Sequence, residues 1–377
     1  MVTKIRAIPN RLTVLQKDCI DREIQRVVYP FNAVLTLVFC SKYSIHNNNI
    51  SPRGSKYCIV RFLGIFFVIA VTVFRMYTTM TNMILAQRFQ DPTSVFLSIC
   101  LPGLNFAGYL ITFIVNIVHG HNNVLFIKII QNVNKNITFR DINSFILWNW
   151  ISLGTIICID ISFYILLSLL LNYLSAINGI CEIFFSIIDI DFVYTIRLQL
   201  LLTKYLKEWI DKIRSVDVVV DEDSYYTKMF ETYKNILRAY DVFKEVSQCL
   251  VSYFFMGLFM LMILLIIIFL QVPYTNFVLI IVIVAAMAKL VSFVMIHSQY
   301  NEKFNMMVED VNVTCVLRMK NVNCSKLQKQ FCKNVLRENE TFSKMTACGL
   351  FYIDGRLPLS LLGFLTQYFV ALLQFAL

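Results

Sequence analysis

Seven apolar stretches dominate this chain, at 58–80, 95–118, 144–172, 180–202, 249–271, 275–297 and 357–377. Each exceeds the roughly 20 residues that a helix needs to cross the hydrocarbon layer of a bilayer. A soluble protein has no room for so many: 58% of the 377 residues are hydrophobic and only 15% are charged. Inside lipid no water satisfies backbone N–H and C=O groups, and a helix satisfies them all internally. The expected fold class is therefore all-α, a polytopic membrane protein with seven transmembrane helices.

The basic residues orient those helices. With the N-terminus inside, 30 of the 34 Lys and Arg fall on the inner side; Arg75 and Arg88 stay outside, and Lys289 and Arg356 lie in or beside spans. Positive charge resists translocation, so the N-terminus is expected to be cytoplasmic and the C-terminus extracellular. The net charge of +10 is then a topology signal, not a nucleic-acid footprint. Five Asn-x-Ser/Thr sequons, at Asn49, Asn136, Asn312, Asn323 and Asn339, all fall on the inner side and are expected to stay unglycosylated. Residues 1–25 are polar and basic, so the first membrane helix is expected to act as its own insertion signal.

This divides the chain into a cytoplasmic tail (1–57), spans one to four (58–202), an intracellular helical region (203–248), spans five and six (249–297), a second intracellular helical region (298–356) and a last span (357–377). Within the tail, 27–39 is apolar but too short to cross, and reads as an interfacial or re-entrant helix with Pro30 near its start. The stretch 225–248 has long side chains and no Gly or Pro, so it is expected to be a helix running into the fifth span. From Ser325 onward, Leu327, Phe331, Leu336, Phe342 and Met345 recur at roughly helical spacing, with Lys326, Lys329, Lys333 and Arg337 on other faces. Such a rod packs either on its own subunit or between subunits.

The eleven cysteines contain no Cys-x-x-Cys; a bridge between Cys100 and Cys181, both near the outer face, stays open. His119-Gly120-His121 closes a span without a third ligand and reads as an interfacial turn, so no metal is expected. There is no phosphate loop, no Gly-x-Ser-x-Gly and no His-Glu-x-x-His, hence no sign of an enzyme or a cofactor. Lys289, toward the inner end of the sixth span, is expected to snorkel to the cytoplasmic interface.

The closing stretch is unusual. After the turn Asp354-Gly355-Arg356 and Pro358, an apolar helix carries Gln367 and Gln374 seven residues apart, so both amides share a face. Unpaired amides are costly in lipid, which points that face at a water-filled pore or at another helix. The segment Gln367-Tyr368-Phe369-Val370-Ala371-Leu372-Leu373-Gln374-Phe375, at the end of seven spans in this orientation, resembles the closing motif of the insect gustatory receptors, within the insect chemoreceptor superfamily. That family has Thr-Tyr, five mostly apolar residues, then Gln-Phe; Tyr368, Gln374 and Phe375 match, and Gln367 replaces the Thr. The approach Ala347-Cys348-Gly349-Leu350-Phe351, with Asp354 and Leu359, is also similar.

The resemblance implies a taste receptor of the plasma membrane, in sensory dendrites, working as a tetrameric, homomeric or heteromeric, ligand-gated cation channel. Its last helix would line a central pore opened by a small-molecule tastant, and permeating cations would pass four copies of Gln374. An amide ring replaces part of a cation's hydration without holding it tightly. Ala371 stands where the family often has a bulkier gate residue, which leaves Phe375 to do more of the closing. The implied ligand pocket opens outward among spans two to six. Acidic residues within spans are the candidates for it: Asp160 in the third span, and Glu182 and Asp189 seven apart in the fourth, with Tyr164, Tyr173, Phe106 and Tyr109. An aromatic pocket with a carboxylate suits a cationic or hydroxyl-rich ligand; the same acids could instead pair with neighbouring helices. A G-protein-coupled receptor would have the opposite orientation, and a transporter an internal repeat; both stand as weaker alternatives.

Overall fold

The computed structural model describes residues 19–46, 48–52, 56–85, 92–137, 141–170, 176–215, 222–271, 277–322 and 324–376. Helix α1 (Arg22–Leu37) leads into a hairpin of β1 (Ser44–His46) and β2 (Asn49–Ser51). There follow α2 (Lys56–Leu85), α3 (Pro92–Val118), α4 (Gly120–Asn136), α5 (Ile142–Leu170) and α6 (Ala176–Phe185). The chain ends with α7 (Ile187–Ser215), α8 (Glu222–Gln271), α9 (Phe277–Lys320), α10 (Lys326–Asn339) and α11 (Leu357–Ala376).

Among the described residues, three helical segments are long and apolar enough to cross a membrane: Ile59–Thr78, Ile142–Leu166 and Asp223–Ile263. A fourth results if α3 and α4 form one broken span; they meet at 66°. The break falls at His119, where the sequence places an interfacial turn. The other apolar stretches lie in α6 and α7, in α9 and in α11.

Long unbroken helices set the architecture. Helix α8 has 50 residues and α9 has 44, each joining an apolar half to a polar half. The helix over 225–248 does continue into the apolar stretch after it. Helices α7 and α9 run parallel, Asp189 meeting Lys289 at one level and Arg214 meeting Asp310 at another. Helix α8 runs antiparallel to α9, with Tyr240 stacked on Phe304 at 4.3 Å and Phe254 edge-on to Phe293 at 5.9 Å. Trp209 anchors the polar half: it is 0% exposed, donates to the Met229 carbonyl at 2.9 Å, and packs on Tyr233 and Phe331.

Helix α10 starts at Ser325, whose hydroxyl accepts from the Gln328 backbone N–H while the Gln328 side chain accepts from Ser325 N–H. This capping box satisfies two donors that a helix start leaves free. The same Gln328 side chain donates to Tyr226 at 2.7 Å, tying α10 to α8. The helix buries Phe331, Cys332 and Val335 and stops at Asn339. Phe342 and Met345 therefore pack from the following loop, where the periodicity had placed them on the rod.

The tail differs from its sequence reading. Helix α1 begins at Arg22, earlier than expected, with Pro30 in its interior. One face packs inward, with Ile24, Val27, Val28, Phe31 and Leu35 buried against the other helices, while Arg22, Arg26, Tyr29 and Leu37 on the other face are exposed. A proline inside a helix removes a donor and loosens nearby carbonyls; Asn149 of α5 donates to the Val27 carbonyl at 2.8 Å. After α1, Lys42 and Asp191 form an ion pair of 2.7 Å, side chains 5% and 3% exposed, beside a Tyr43–Tyr194 hydroxyl contact of 3.0 Å.

Three sequon asparagines are occupied inside the fold. The Asn136 amide donates to Thr232 at 2.9 Å, the Asn339 amide to Asn312, and the Tyr233 hydroxyl to the Asn339 carbonyl oxygen. Glycans there would break α4–α8 and α9–α10 packing. Treatment with an endoglycosidase is expected to leave the electrophoretic mobility of the expressed chain unchanged; a shift to lower mass would contradict these contacts or the expected orientation.

Candidate functional site

Charged residues in apolar helices are held by partners, because an unpaired charge there is costly. Lys289 of α9 is held by two: Asp160 of α5 at 3.1 Å and Asp189 of α7 at 2.6 Å. The two acid side chains are 13% exposed and that of Lys289 21%. Phe163, one turn from Asp160, turns its ring toward Lys289 Nζ at 5.8 Å. Three helices thus meet at one ammonium. Lys289 does not snorkel to an interface, contrary to the sequence reading. Two carboxylates within reach outweigh partial hydration at a membrane edge.

The remaining expected pocket residues disperse. Glu182 and Asp189 point to different neighbours: Glu182 pairs with Arg75 of α2 at 2.8 Å, Asp189 with Lys289. Between them Ser186 bonds the Ile183 carbonyl at 2.9 Å and separates α6 from α7. Such local back-bonding bends a helix and offsets its two faces. Tyr109 is 0% exposed and donates to the Val38 carbonyl at 3.4 Å, so it belongs to the core that seats α1 rather than to a pocket wall. Phe106 packs half-buried on the same core. Tyr164 is half-buried, its hydroxyl 3.4 Å from where a Cβ on Gly179 would stand. Tyr173 lies outside the described residues. Cys181 carries a free, buried thiol that donates to the Val71 carbonyl at 3.8 Å, so it forms no bridge to Cys100.

An aromatic residue that the sequence reading did not single out stands beside Ile188, the chain neighbour of Asp189. Tyr253 of α8 donates to the Leu104 carbonyl of α3 at 2.9 Å. Its ring fits only because residue 108 is glycine: a Cβ there would lie 2.5 Å from the ring and from Ile188. The missed partnership of Lys289 did have a sequence signal. A lone Lys and two lone Asp within apolar stretches are expected to seek one another.

A separate small cleft, partly open to solvent, lies where α4, α7 and α8 meet the segment that follows α1. Lys42, Tyr43, Asn123, Tyr194 and Ser247 are among its lining, and none of the expected pocket residues is.

Helix α11 packs against α8 and α9 and leaves much of its surface open. Gln367, Ala371 and Gln374 are all exposed, as are Leu359, Leu362 and Val370. The side chains of Tyr368 and Phe375 lie outside the described ones. The approach to α11 is a tight turn: Cys348 and Gly349 have positive φ, 48° and 79°, and Thr346 pairs with Tyr352. The left-handed region suits glycine at the second of these. The Gly355 N–H donates to Glu302 of α9 at 3.3 Å, fastening this turn to the long helix.

No protein-family model matches the chain, and no curated protein matches it in sequence. Its fold is nonetheless shared. The insect olfactory receptor OR5 from Machilis hrabei superposes with a TM-score of 0.69 at 10% identity, over 94% of this chain and all of that one. The same receptor in complex with eugenol superposes with a TM-score of 0.67 at 10% identity and equal coverage. The architecture, long helices with several apolar stretches, is the fold of that receptor.

Proposed function

We propose that this chain is a gustatory-type chemoreceptor subunit, a ligand-gated cation channel that assembles as a tetramer around four copies of α11. The observation that carries the reading is the fold shared with an insect olfactory receptor over that receptor's whole length. The gustatory assignment rests on the closing motif around Tyr368, Gln374 and Phe375. The exposed face bearing Gln367, Ala371 and Gln374 supports a pore-lining role, since amides facing lipid would go unpaired. In this reading seven helices cross the plasma membrane with the C-terminus outside. The ligand is a small molecule, as eugenol is for the olfactory receptor, and it enters near Asp160 and Asp189.

Expression of the full chain alone, with cation current recorded against a panel of sugars and alkaloids, tests this. A tastant-evoked current is expected, and Gln374→Ala is expected to alter its amplitude or ion selectivity at unchanged surface expression. An unaltered current from well-expressed Gln374→Ala removes that residue from the pore. A C-terminal tag reached only after permeabilisation sinks the topology and the channel together.

A further inference from the structure

Among the described residues, cysteine thiols meet in two places: Cys249 of α8 with Cys348 in the turn before α11, and Cys315 of α9 with Cys332 of α10. Cys348 is exposed and Cys249 half-buried, whereas Cys315 and Cys332 are each 0% exposed. We propose that Cys249 and Cys348 are a redox modification site, which a low-molecular-weight disulfide converts to a protein disulfide that clamps the turn before α11 onto α8.

The fold aims Cys348 at its partner. Its Sγ accepts from the Ser252 hydroxyl at 3.2 Å and donates to the Gln248 carbonyl at 3.9 Å. Those residues flank Cys249, and Ser252 lies one turn along on the same side of α8. The Cys348 backbone has φ of 48°, a left-handed conformation that a side chain makes costly. A closed turn holds it there: the Ala347 N–H donates to the Phe351 carbonyl at 2.9 Å, and the Leu350 N–H to the Ala347 carbonyl at 2.9 Å. The thiol is thus presented to α8 while its outer side stays open to solvent.

The chemistry is thiol–disulfide exchange. The Cys348 thiolate attacks one sulfur of the small disulfide, that S–S bond breaks, and one small thiolate leaves. The Cys249 thiolate then attacks Cys348 Sγ, displaces the second small thiolate and closes the protein bond. The two protein thiols lose two electrons, the small disulfide gains them, and the two protons end on the small thiols. In the proposed orientation this turn faces the cytoplasm, where disulfides are transient and redox-sensing. Glu302 already fastens the turn to α9, so a covalent tie to α8 would hold the last helix to both long rods. The effect on current rests on the channel reading; the bond itself does not.

The test treats the purified full chain in lipid nanodiscs with glutathione disulfide and maps its cysteine peptides by mass spectrometry without reduction. A cross-link between the Cys249 and Cys348 peptides is expected, reversed by dithiothreitol, with Cys315 and Cys332 left as thiols. Cys249→Ser is expected to keep a glutathione adduct on Cys348. Cys348→Gly, which suits the left-handed backbone, is expected to slow modification of Cys249 at least tenfold. An unreacted wild type overturns the proposal, as does a Cys348 adduct that never closes onto Cys249, or reaction of the buried pair ahead of the exposed one. The wild-type map decides this even if a variant fails to fold. In inside-out patches, glutathione disulfide is expected to lower the current evoked by the sugar and alkaloid panel at least threefold in the wild type and not in Cys348→Gly. An unchanged current with the bond closed overturns the clamp. Cross-linking in a chain that passes no current sinks the channel reading and leaves the dithiol site intact; evoked current without cross-linking does the reverse.

Discussion

Lys289→Met is expected to destabilise the protein by about 3–5 kcal/mol, the usual cost of removing one member of a buried ion cluster. The loss comes less from the missing attraction than from what remains: Asp160 and Asp189, close together, mostly buried and without their cation. The triple variant Lys289→Met with Asp160→Asn and Asp189→Asn is expected to recover most of the stability, because no charge is left to solvate. Thermal unfolding of the purified protein reads both effects, and surface expression should follow the same order. A Lys289→Met protein that melts like the wild type would mean that the cluster is hydrated enough to stand without its ammonium.

Trp209→Ala should cost a similar amount, about 3–5 kcal/mol, by a different route. The indole is 0% exposed between Tyr233 and Phe331, so its removal opens a void where α7, α8 and α10 meet. Trp209→Phe keeps most of the packing and leaves the Met229 carbonyl without its donor, an effect of about 1–3 kcal/mol. If both variants melt alike, the hydrogen bond rather than the ring holds this junction. If neither moves the melting temperature, the polar halves of the long helices are not part of the cooperative unit.

How much of this was legible in the sequence depends on the range of the interaction involved. The long helix through 225–248 and the start of α10 at Ser325 could be read directly, because helix continuation and capping are local: no Gly or Pro interrupts one, and Ser325 with Gln328 announces the other. The break at His119 was legible for the same reason. For Lys289 the sequence signals only that a lone cation needs acidic partners; which helices supply them was not legible, since they come from 100 and 129 residues away. Side-chain spacing on one helix says nothing about which neighbour it meets. That is also why Tyr109, an aromatic in an outer half-span, was expected in a pocket and instead seats α1. Glu182 and Asp189 failed as a pair because seven-residue spacing predicts one face only while the helix is uniform, and Ser186 intervenes. The spacing of Gln367, Ala371 and Gln374 on α11 follows from the sequence, whereas what those exposed side chains face is, in the proposed channel, set by other copies of the chain.

The continuity of α9 has a mechanical consequence. One stiff rod carries Lys289, in the grip of two carboxylates, and Glu302, which holds the turn before α11. The two points are about 20 Å apart along the axis. A helix resists axial compression, so a pull on the first arrives at the second nearly undiminished. The clasp on Lys289 and the fastening of the last helix are thus two ends of one rod.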